Sequence, residues 1–240
     1  MFKIHRYFIY MTLLFLLNSE YIPSYKQGFT CKDPSLSRIF TSDTVRPKVL
    51  IYGTIVGSFF FVYLIELLAQ GTYRTVRLSD VWRQTVDFNT AAALVLLITD
   101  ILKVTVGEPR PHFLTDCRPH ENENCALGSY ITDFTCSNTE WSVFRLKDLS
   151  KSFPSGHSSL STFTAIYFIN LILNKFKSTS LNPAKFLLIA VFLFWNGLCA
   201  ISRIVDNKHH WWDVLAGALI GVAYATYKIK SDKPNETEKE

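Results

Sequence analysis

The chain has 240 residues, of which 48% are hydrophobic, and a formal net charge of +5. That length would suit one or two soluble domains, but the apolar residues are gathered into blocks long enough to cross a bilayer, about 20 residues per helix. The positive charge does not indicate nucleic-acid binding, because no soluble basic face with interleaved aromatic residues accompanies it.

Six apolar blocks are predicted to form membrane-spanning helices. The first, 7–22, could instead belong to a secretory signal peptide, because a basic segment precedes it. No small-x-small cleavage pattern follows, since residues 18–21 are Asn, Ser, Glu and Tyr, and an uncleaved helix is therefore favoured. The other blocks are 49–69, 88–106, 157–174, 185–202 and 213–229. We predict an all-α, six-helix integral membrane protein that forms one domain over 1–240, with extended outer loops.

The density of lysine and arginine indicates how these helices are oriented. With the N-terminus in the cytoplasm, the cytoplasmic segments are 1–6, 70–87, 175–185 and the chain from 228 onward. They hold 12 of the 25 basic residues in about a fifth of the chain. Since basic residues concentrate on the cytoplasmic side of membrane helices, both termini are expected there. Residues 230–240 are polar and mixed in charge, and we expect a disordered cytoplasmic tail.

The cysteines agree with this orientation. Four of the five fall in loops on the predicted non-cytoplasmic side, whereas Cys199 lies within a span; the four are Cys31, Cys117, Cys125 and Cys136. An oxidising compartment would allow two disulfides in any of three connectivities, and free thiols are the alternative. A zinc site is disfavoured because the spacings give no paired Cys-x2-4-Cys motifs.

Three polar clusters lie next to the apolar blocks. They are Lys103 with Arg110-Pro111, then Pro154-Ser155-Gly156-His157, and then Ser202-Arg203 with His209 and Asp213. Ionisable residues beside membrane spans are energetically costly and indicate function by default. No span separates the first cluster from the second, and two spans separate the second from the third. All three clusters are therefore expected on the non-cytoplasmic face, at helix ends that can meet.

The first two clusters suit the binding of a phosphate. Arg110 supplies a planar fork for phosphate oxygens, and Lys103 supplies a point charge on a flexible stem. Snorkelling of both side chains to the interface is the alternative. The Ser155-Gly156 turn can cap the following helix and present free N–H groups to an anion, and Gly156 permits close backbone approach. A simple capping turn is the alternative for this cluster.

The third cluster pairs an imidazole with a carboxylate. His209 and Asp213 are four residues apart and so share one face of a helix. An aspartate bound to one imidazole nitrogen holds the tautomer and makes the other nitrogen more nucleophilic. His210, three residues from Asp213, is a competing partner. Asp206 and Lys208 are interpreted as loop solvation or as a local ion pair.

In order, the clusters read Lys-x6-Arg-Pro, Pro-Ser-Gly-His and Ser-Arg-x5-His-x3-Asp. This pattern resembles the three-part signature of the type 2 phosphatidic acid phosphatase superfamily. Gly28–Cys31, Lys208–Val214 and the loop with three cysteines are similar to the animal lipid phosphate phosphatase branch. The resemblance implies a helical phosphatase core of six membrane helices, with the active site facing outside or a lumen. One departure is that the outer loops hold no glycosylation acceptor, because the only sequon, Asn235–Thr237, lies in the predicted tail.

The resemblance also implies a role for each site residue. His209 would be the nucleophile that forms a phosphohistidine, Asp213 its orienting partner, and His157 the general acid for the departing alkoxide. The residues implied to bind the substrate phosphate are Lys103, Arg110, Ser155, Gly156 and Arg203, with Ser202 in a less defined role. Cations would neutralise the charge of the transferring phosphoryl group, and water would then attack the phosphohistidine. No metal or other cofactor is expected.

The implied function is hydrolysis of phosphatidate, lysophosphatidate, sphingosine 1-phosphate or ceramide 1-phosphate in the plasma membrane, the endoplasmic reticulum or the Golgi. One alternative is a phosphotransferase of the sphingomyelin synthase kind. Another is a non-catalytic membrane scaffold, but that branch typically loses motif residues and none is lost here. The preferred lipid, and whether the chain forms a homo-oligomer, are left open by the sequence.

Overall fold

The computed structural model describes residues 2–19, 22–70, 75–176 and 182–232. Within these ranges the chain is mainly helical, as predicted. The helices are α1 Phe2–Asn18, α2 Pro47–Gln70, α3 Leu78–Val106, α4 Phe113–Cys117, α5 Val143–Asp148, α6 Gly156–Lys175, α7 Pro183–Val205 and α8 Trp211–Ser231. Between them lie two 3-10 turns, Pro34–Leu36 and His120–Asn122, and an antiparallel pair of short strands, β1 Phe29–Thr30 and β2 Tyr130–Ile131.

Six of the described helices have 17 or more residues and correspond to the six predicted spans. Of these, three combine the length and apolar composition needed to cross a membrane: Pro47–Ala69, Leu78–Val106 and Pro183–Val205. α1 has only 17 residues. α6 carries a run of Ser and Thr residues near its start, and α8 carries charged residues near both ends. The chain is a membrane protein with the expected six long helices, but only three of these have both the length and the apolar composition of a membrane span.

Several helix boundaries differ from the predicted spans, and α1 already begins at Phe2 rather than at 7. α3 begins at Leu78, ten residues before the predicted start, because Val81, Thr85 and Phe88 recur at helical spacing and are buried. α1 ends at Asn18 rather than at 22. α8 continues to Ser231, so residues 230 and 231 are helical and not part of a disordered tail. The rest of the predicted tail, 233–240, lies outside the described residues.

α6 lies at the centre of the bundle, in contact with α2, α3, α7 and α8. Aromatic side chains fill much of the space around it. Phe168 of α6 stacks on Phe192 of α7 with ring centroids 4.7 Å apart, and Phe88 of α3 packs against Phe163 and Phe168. Because lipid tails are as apolar as these side chains, close packing rather than removal from water holds such helices together.

Two glycines allow α8 to approach α6 closely. Gly217 and Gly221 are four residues apart, the spacing of small residues at membrane helix interfaces. A Cβ atom at Gly221 would lie 2.6 Å from the carbonyl oxygen of Ser159, and one at Gly217 would clash with that of Ser155. Since Ser155 belongs to the second motif cluster, this contact sets the distance between that cluster and α8.

Two disulfides hold the loops at one end of the bundle. They join Cys31 to Cys125 and Cys117 to Cys136, with Cα–Cα distances of 6.1 and 4.6 Å. One of the three connectivities left open by the sequence is thereby selected. Cys199 is a buried free thiol in α7. The disulfides surround a small apolar cluster built on Phe29, Phe113, Leu114 and Leu149, which packs the loops against each other.

Replacing Gly217 with alanine should lower the thermal unfolding midpoint of the protein in detergent micelles. The added methyl group must displace the backbone of Ser155, and overpacking of this kind costs about 1–3 kcal/mol. Gly197→Ala in α7 is the matched control, because nothing lies within 4 Å of the position of its Cβ. The control should keep or slightly raise the midpoint. Equal midpoints for the two variants would contradict the packing role of Gly217.

Candidate active site

The three motif clusters meet at one end of the helix bundle. They occupy the last turns of α3 and α7, the first turns of α6 and α8, and the adjoining loops. Six of the nine predicted site residues line one cavity of about 880 Å³: Lys103, Arg110, Gly156, His157, Arg203 and His209. The structure therefore brings three cations and two imidazoles to a common space.

The cavity continues from this charged end into an apolar space between α1, α2 and α3. Side chains such as Leu14, Leu50, Ile51 and Leu96 line that part. The whole volume falls within the range of small-molecule sites, about 300–1,000 Å³. A ligand with an anionic head and an apolar tail would match both parts of the cavity.

His209 lies between Asp213 and Arg110. Its Nδ1 atom is 3.4 Å from Oδ2 of Asp213, and its Nε2 atom is 3.5 Å from a guanidinium nitrogen of Arg110. The first distance is long for a hydrogen bond. Burial lowers the pKa of His209 well below its usual value, although Asp213 acts in the opposite direction. The imidazole is therefore neutral, with Asp213 next to Nδ1 and the other nitrogen towards Arg110.

Asp213 is fully buried behind His209 and does not line the cavity. Its Oδ2 atom accepts hydrogen bonds from the hydroxyl of Ser152 at 2.6 Å and from the backbone N–H of His210 at 2.9 Å. The ring of His210 points elsewhere, with Nε2 at 3.2 Å from the carbonyl oxygen of Pro109. The imidazole that faces Asp213 is thus that of His209.

Arg110 is held by three acceptors. Its Nε donates to the carbonyl oxygen of Asp148 at 2.9 Å, one terminal nitrogen lies 3.0 Å from the Asp148 carboxylate, and the other donates to the carbonyl oxygen of Lys208 at 3.0 Å. These contacts orient the planar fork with one nitrogen next to His209. Lys103 donates to the carbonyl oxygen of Lys151 at 2.9 Å. Both cations are therefore positioned by contacts within the protein.

Arg203 is 2% exposed and is neutralised by two carboxylates. It donates to Asp43 at 2.7 Å and to Asp206 at 3.0 Å. Ser202 accepts from the same guanidinium group at 3.3 Å and does not line the cavity. Ser202, predicted to bind the substrate, therefore contacts Arg203 and stands outside the cavity wall.

The interpretation of Asp206 and Lys208 as loop solvation is wrong, because both are buried, whereas the alternative of a local ion pair holds for Asp206, which pairs with Arg203. Asp206 is buried and accepts hydrogen bonds from the N–H and the hydroxyl of Thr44, each at 2.8 Å, besides the contact with Arg203. Lys208 is also buried, with Nζ 3.3 Å from the ring centroid of Phe40. Burial lowers the pKa of Lys208 to about 8. Both residues are structural contacts of the site with a distant segment.

The second cluster opens α6. Ser155 is the N-cap of this helix, accepts from the N–H of Ser158 at 3.4 Å, and is completely buried rather than lining the cavity. His157 donates from Nε2 to the carbonyl oxygen of Val45 at 2.9 Å. Because a carbonyl only accepts, Nε2 carries the hydrogen, and Nδ1 is the nitrogen left for proton exchange. Gly156 lines the cavity without a side chain to fill it.

The sequence interpretation missed the α1–α2 loop (residues 22–46), which closes the site. Asp43 contacts Arg203 and Val45 contacts His157 across 160 and 112 residues of chain. His112 was missed as well; it lines the cavity and donates from Nδ1 to the carbonyl oxygen of Asn207 at 2.8 Å. Burial lowers its pKa to about 4, so this ring is neutral. Of these residues, only His112 could have been suspected from the local sequence, because it directly follows Arg110-Pro111.

In the described ranges, no group of three or more His, Cys, Asp or Glu side chains is arranged to hold a metal ion. Of the carboxylates that line the cavity, Asp148 is paired with Arg110 and Asp43 with Arg203, whereas Asp100 accepts a hydrogen bond from the amide of Asn18 at 2.7 Å. The charge of the site thus comes from side-chain cations and their counter-ions.

The chain is similar in sequence to one protein family and to several proteins of known name. The family described as the PAP2 superfamily matches residues 84–234, which include all three motif clusters. A Drosophila melanogaster protein with the provisional name phosphatidate phosphatase is 33% identical over 234 residues, 87% of this chain and 61% of its own length. Phospholipid phosphatase 1 of Rattus norvegicus is 29% identical over 246 residues, 94% of this chain and 84% of its own.

A shorter match is phospholipid phosphatase-related protein type 4 of Homo sapiens, 37% identical over 134 residues, 55% of this chain and 17% of its own length. No solved structure matches the chain. The chain spans less than two thirds of the Drosophila relative but most of the rat protein. The chain therefore belongs to the PAP2 superfamily, in the branch of the phospholipid phosphatases.

Proposed function

We propose that the chain is an integral-membrane lipid phosphate phosphatase that cleaves a phosphomonoester through a covalent intermediate on His209. The observation that supports this most strongly is the neutral His209 between Asp213 and Arg110, at the wall of a cavity that joins a cationic end to an apolar space. The names of the relatives, phosphatidate phosphatase and phospholipid phosphatase 1, support the same reaction.

The proposed substrates have a phosphomonoester head and acyl or alkyl chains: phosphatidate, lysophosphatidate, sphingosine 1-phosphate and ceramide 1-phosphate. Lys103, Arg110 and Arg203 line the charged end of the cavity and would bind the phosphate oxygens. The lipid chains would occupy the apolar part between α1, α2 and α3. Binding of this kind brings the phosphorus atom next to His209, and such positioning supplies much of the rate enhancement.

In the first chemical step, Nε2 of His209 attacks phosphorus, and the bond between phosphorus and the lipid oxygen breaks. Asp213 stabilises the positive charge that develops on the imidazole by accepting from Nδ1. In the proposed step His157 acts as the imidazolium: it takes up a second proton on Nδ1 when the substrate phosphate binds and passes that proton to the departing alkoxide, while the Val45 carbonyl keeps the hydrogen on Nε2. The lipid alcohol leaves, and phosphate remains bound to His209.

In the second step, water attacks the phosphohistidine and the phosphorus–nitrogen bond breaks. His157, deprotonated in the first step, accepts a proton from this water. Inorganic phosphate leaves and His209 is restored. Arg110, Lys103 and Arg203 neutralise the phosphoryl oxygens in both steps.

The proposed location of the site is the outer or lumenal face of a cellular membrane. Both disulfides lie in loops at the same end of the bundle as the site, and disulfides form in oxidising compartments. The basic density of the segments at the opposite end supports the same orientation.

His209→Ala should lower the rate of phosphate release from phosphatidate in mixed micelles by at least about 10³-fold, because it removes the nucleophile. His210→Ala is the matched control, since the His210 ring faces Pro109 rather than Asp213. It should keep activity within about tenfold of the unchanged protein. Near-normal release by His209→Ala would refute the assignment of the nucleophile. Recovery of labelled phosphate on a second lipid rather than in water would instead indicate a phosphotransferase.

His157→Asn should affect substrates according to their leaving groups. Hydrolysis of a lipid phosphate, whose alkoxide needs a proton, should fall by about 10²–10⁴-fold. Hydrolysis of p-nitrophenyl phosphate should fall far less, because nitrophenolate leaves without protonation. His112→Asn, at a second histidine that lines the cavity, should change both rates by the same factor. Equal losses on both substrates for His157→Asn would rule out its role as general acid.

Removal of divalent cations should leave the reaction intact. The proposed chemistry uses Lys103, Arg110 and Arg203 as the counter-charges of the phosphate. Phosphate release measured after dialysis against excess chelator should stay within about twofold of the untreated rate. A strict requirement for added magnesium would contradict the proposed mechanism.

A further inference from the structure

One oxygen of Asp213 has no conventional donor. Oδ2 receives the hydrogen bonds from Ser152 and from the backbone of His210, and it is also the atom that faces His209. Oδ1 is buried, and no N–H or hydroxyl group of the described residues donates to it. A buried carboxylate oxygen without a donor is costly, and native structures leave few such atoms. The side chains next to this oxygen are therefore candidates for the missing donor.

The neighbour of Asp213 is a second carboxyl group, that of Glu108. Ser152 links the two residues, because its hydroxyl donates to Asp213 and its backbone N–H donates to Glu108, and the charge of Asp213 acts on the pKa of Glu108. Glu108 is held there from two sides, because its Oε1 accepts from the indole N–H of Trp212 at 2.8 Å and its carbonyl oxygen accepts from the N–H of Ser152 at 3.0 Å. It follows the left-handed residue Gly107, which ends α3, and precedes Pro109. The backbone on both sides limits its freedom to move away.

Two neighbouring carboxyl groups do not both ionise readily, because like charges repel. Burial first, and then the charge of Asp213, raise the pKa of Glu108 to about 7, while the Trp212 hydrogen bond and the charge of Lys103 act in the opposite direction. The other titratable groups near this pair are Lys103 of α3 and the two histidines, His209 and His210, in the loop before α8. Glu108 is thus the member of the pair that holds the proton.

We propose that protonated Glu108 donates to Oδ1 of Asp213 and so acts as a positioning residue for His209 in the hydrolysis proposed above. The hydrogen bond satisfies the buried oxygen and leaves the pair with a single negative charge. It also holds the Asp213 carboxylate with Oδ2 towards His209. The proposal rests on the proposed function only for its effect on turnover, since the proton itself can be observed without any reaction.

The expected consequence is a loss of turnover as pH rises through about 7. Glu108 has a raised pKa, so its protonated form is present below that pH and disappears above it. Ionised Glu108 would repel Asp213 and place an additional negative charge near the site of an anionic substrate. Glu108→Gln keeps the shape, keeps an acceptor for Trp212 and offers an amide N–H to Asp213 at every pH. The variant therefore mimics protonated Glu108 at every pH.

The first measurement follows the proton directly by infrared difference spectroscopy of the purified full chain. A carbonyl band of a protonated carboxylic acid should be present at pH 6, disappear with a midpoint near 7, and be missing from Glu108→Gln. Glu123→Gln, which changes an exposed glutamate in the loop with the disulfides, is the control and should keep the band. A band that persists in Glu108→Gln, or no band in the unchanged protein, would overturn the proposal.

The second measurement compares pH profiles of kcat/KM on one lipid phosphate. Between pH 6 and 8.5 the unchanged protein and Glu123→Gln should lose at least about tenfold more activity than Glu108→Gln. The substrate phosphate and Lys208 titrate in all three proteins, so the difference between profiles reports Glu108. Superimposable profiles would overturn the positioning role. Absence of phosphate release from every protein at every pH, with the infrared band present, would instead count against the proposed function alone.

Discussion

The contact between the first turns of α6 and α8 is the constraint on which the rest of the site depends. The backbone N–H of Ser155 donates to the carbonyl oxygen of Asp213 at 3.0 Å, and the hydroxyl of Ser158 donates to that of Val214 at 2.7 Å. These bonds form only because Gly217 lets the two backbones approach. They place the end of one helix, which carries His157, beside the end of the other, which carries Asp213. The three motif clusters, which are separate in the sequence, thereby form one site.

The two arginines of the site are paired with carboxylates of the protein. Arg203 contacts two carboxylates and Arg110 contacts one. Each guanidinium group therefore has a fixed orientation at the end of the bundle where the motif clusters meet. Pairing also reduces the cost of holding charges out of water. An incoming phosphate then has to share these cations with Asp43, Asp206 and Asp148. The same ion pairs therefore weaken the binding of anions that make no further contacts.

The long helices and the meeting of the clusters could be predicted, because apolar block length and the number of crossings are properties of the local sequence. The α1–α2 loop could not, since Asp43 and Val45 reach Arg203 and His157 only through the tertiary fold. Burial of Asp206 and Lys208 was missed for the same reason: charged residues in a loop are normally solvated. The start of α3 was placed too late because hydropathy marks where a helix is apolar, not where it begins.

The hydrogen bond from His157 to the carbonyl oxygen of Val45 has a consequence for sequence variation. The acceptor is a backbone atom, so exchange of the valine side chain for another residue leaves it in place. The tautomer of His157 is encoded in the path of the α1–α2 loop rather than in the identity of any residue there. Relatives with another apolar residue that fits the core at position 45 would hold the imidazole the same way, whereas an insertion or deletion that shifts the loop would rotate or release it.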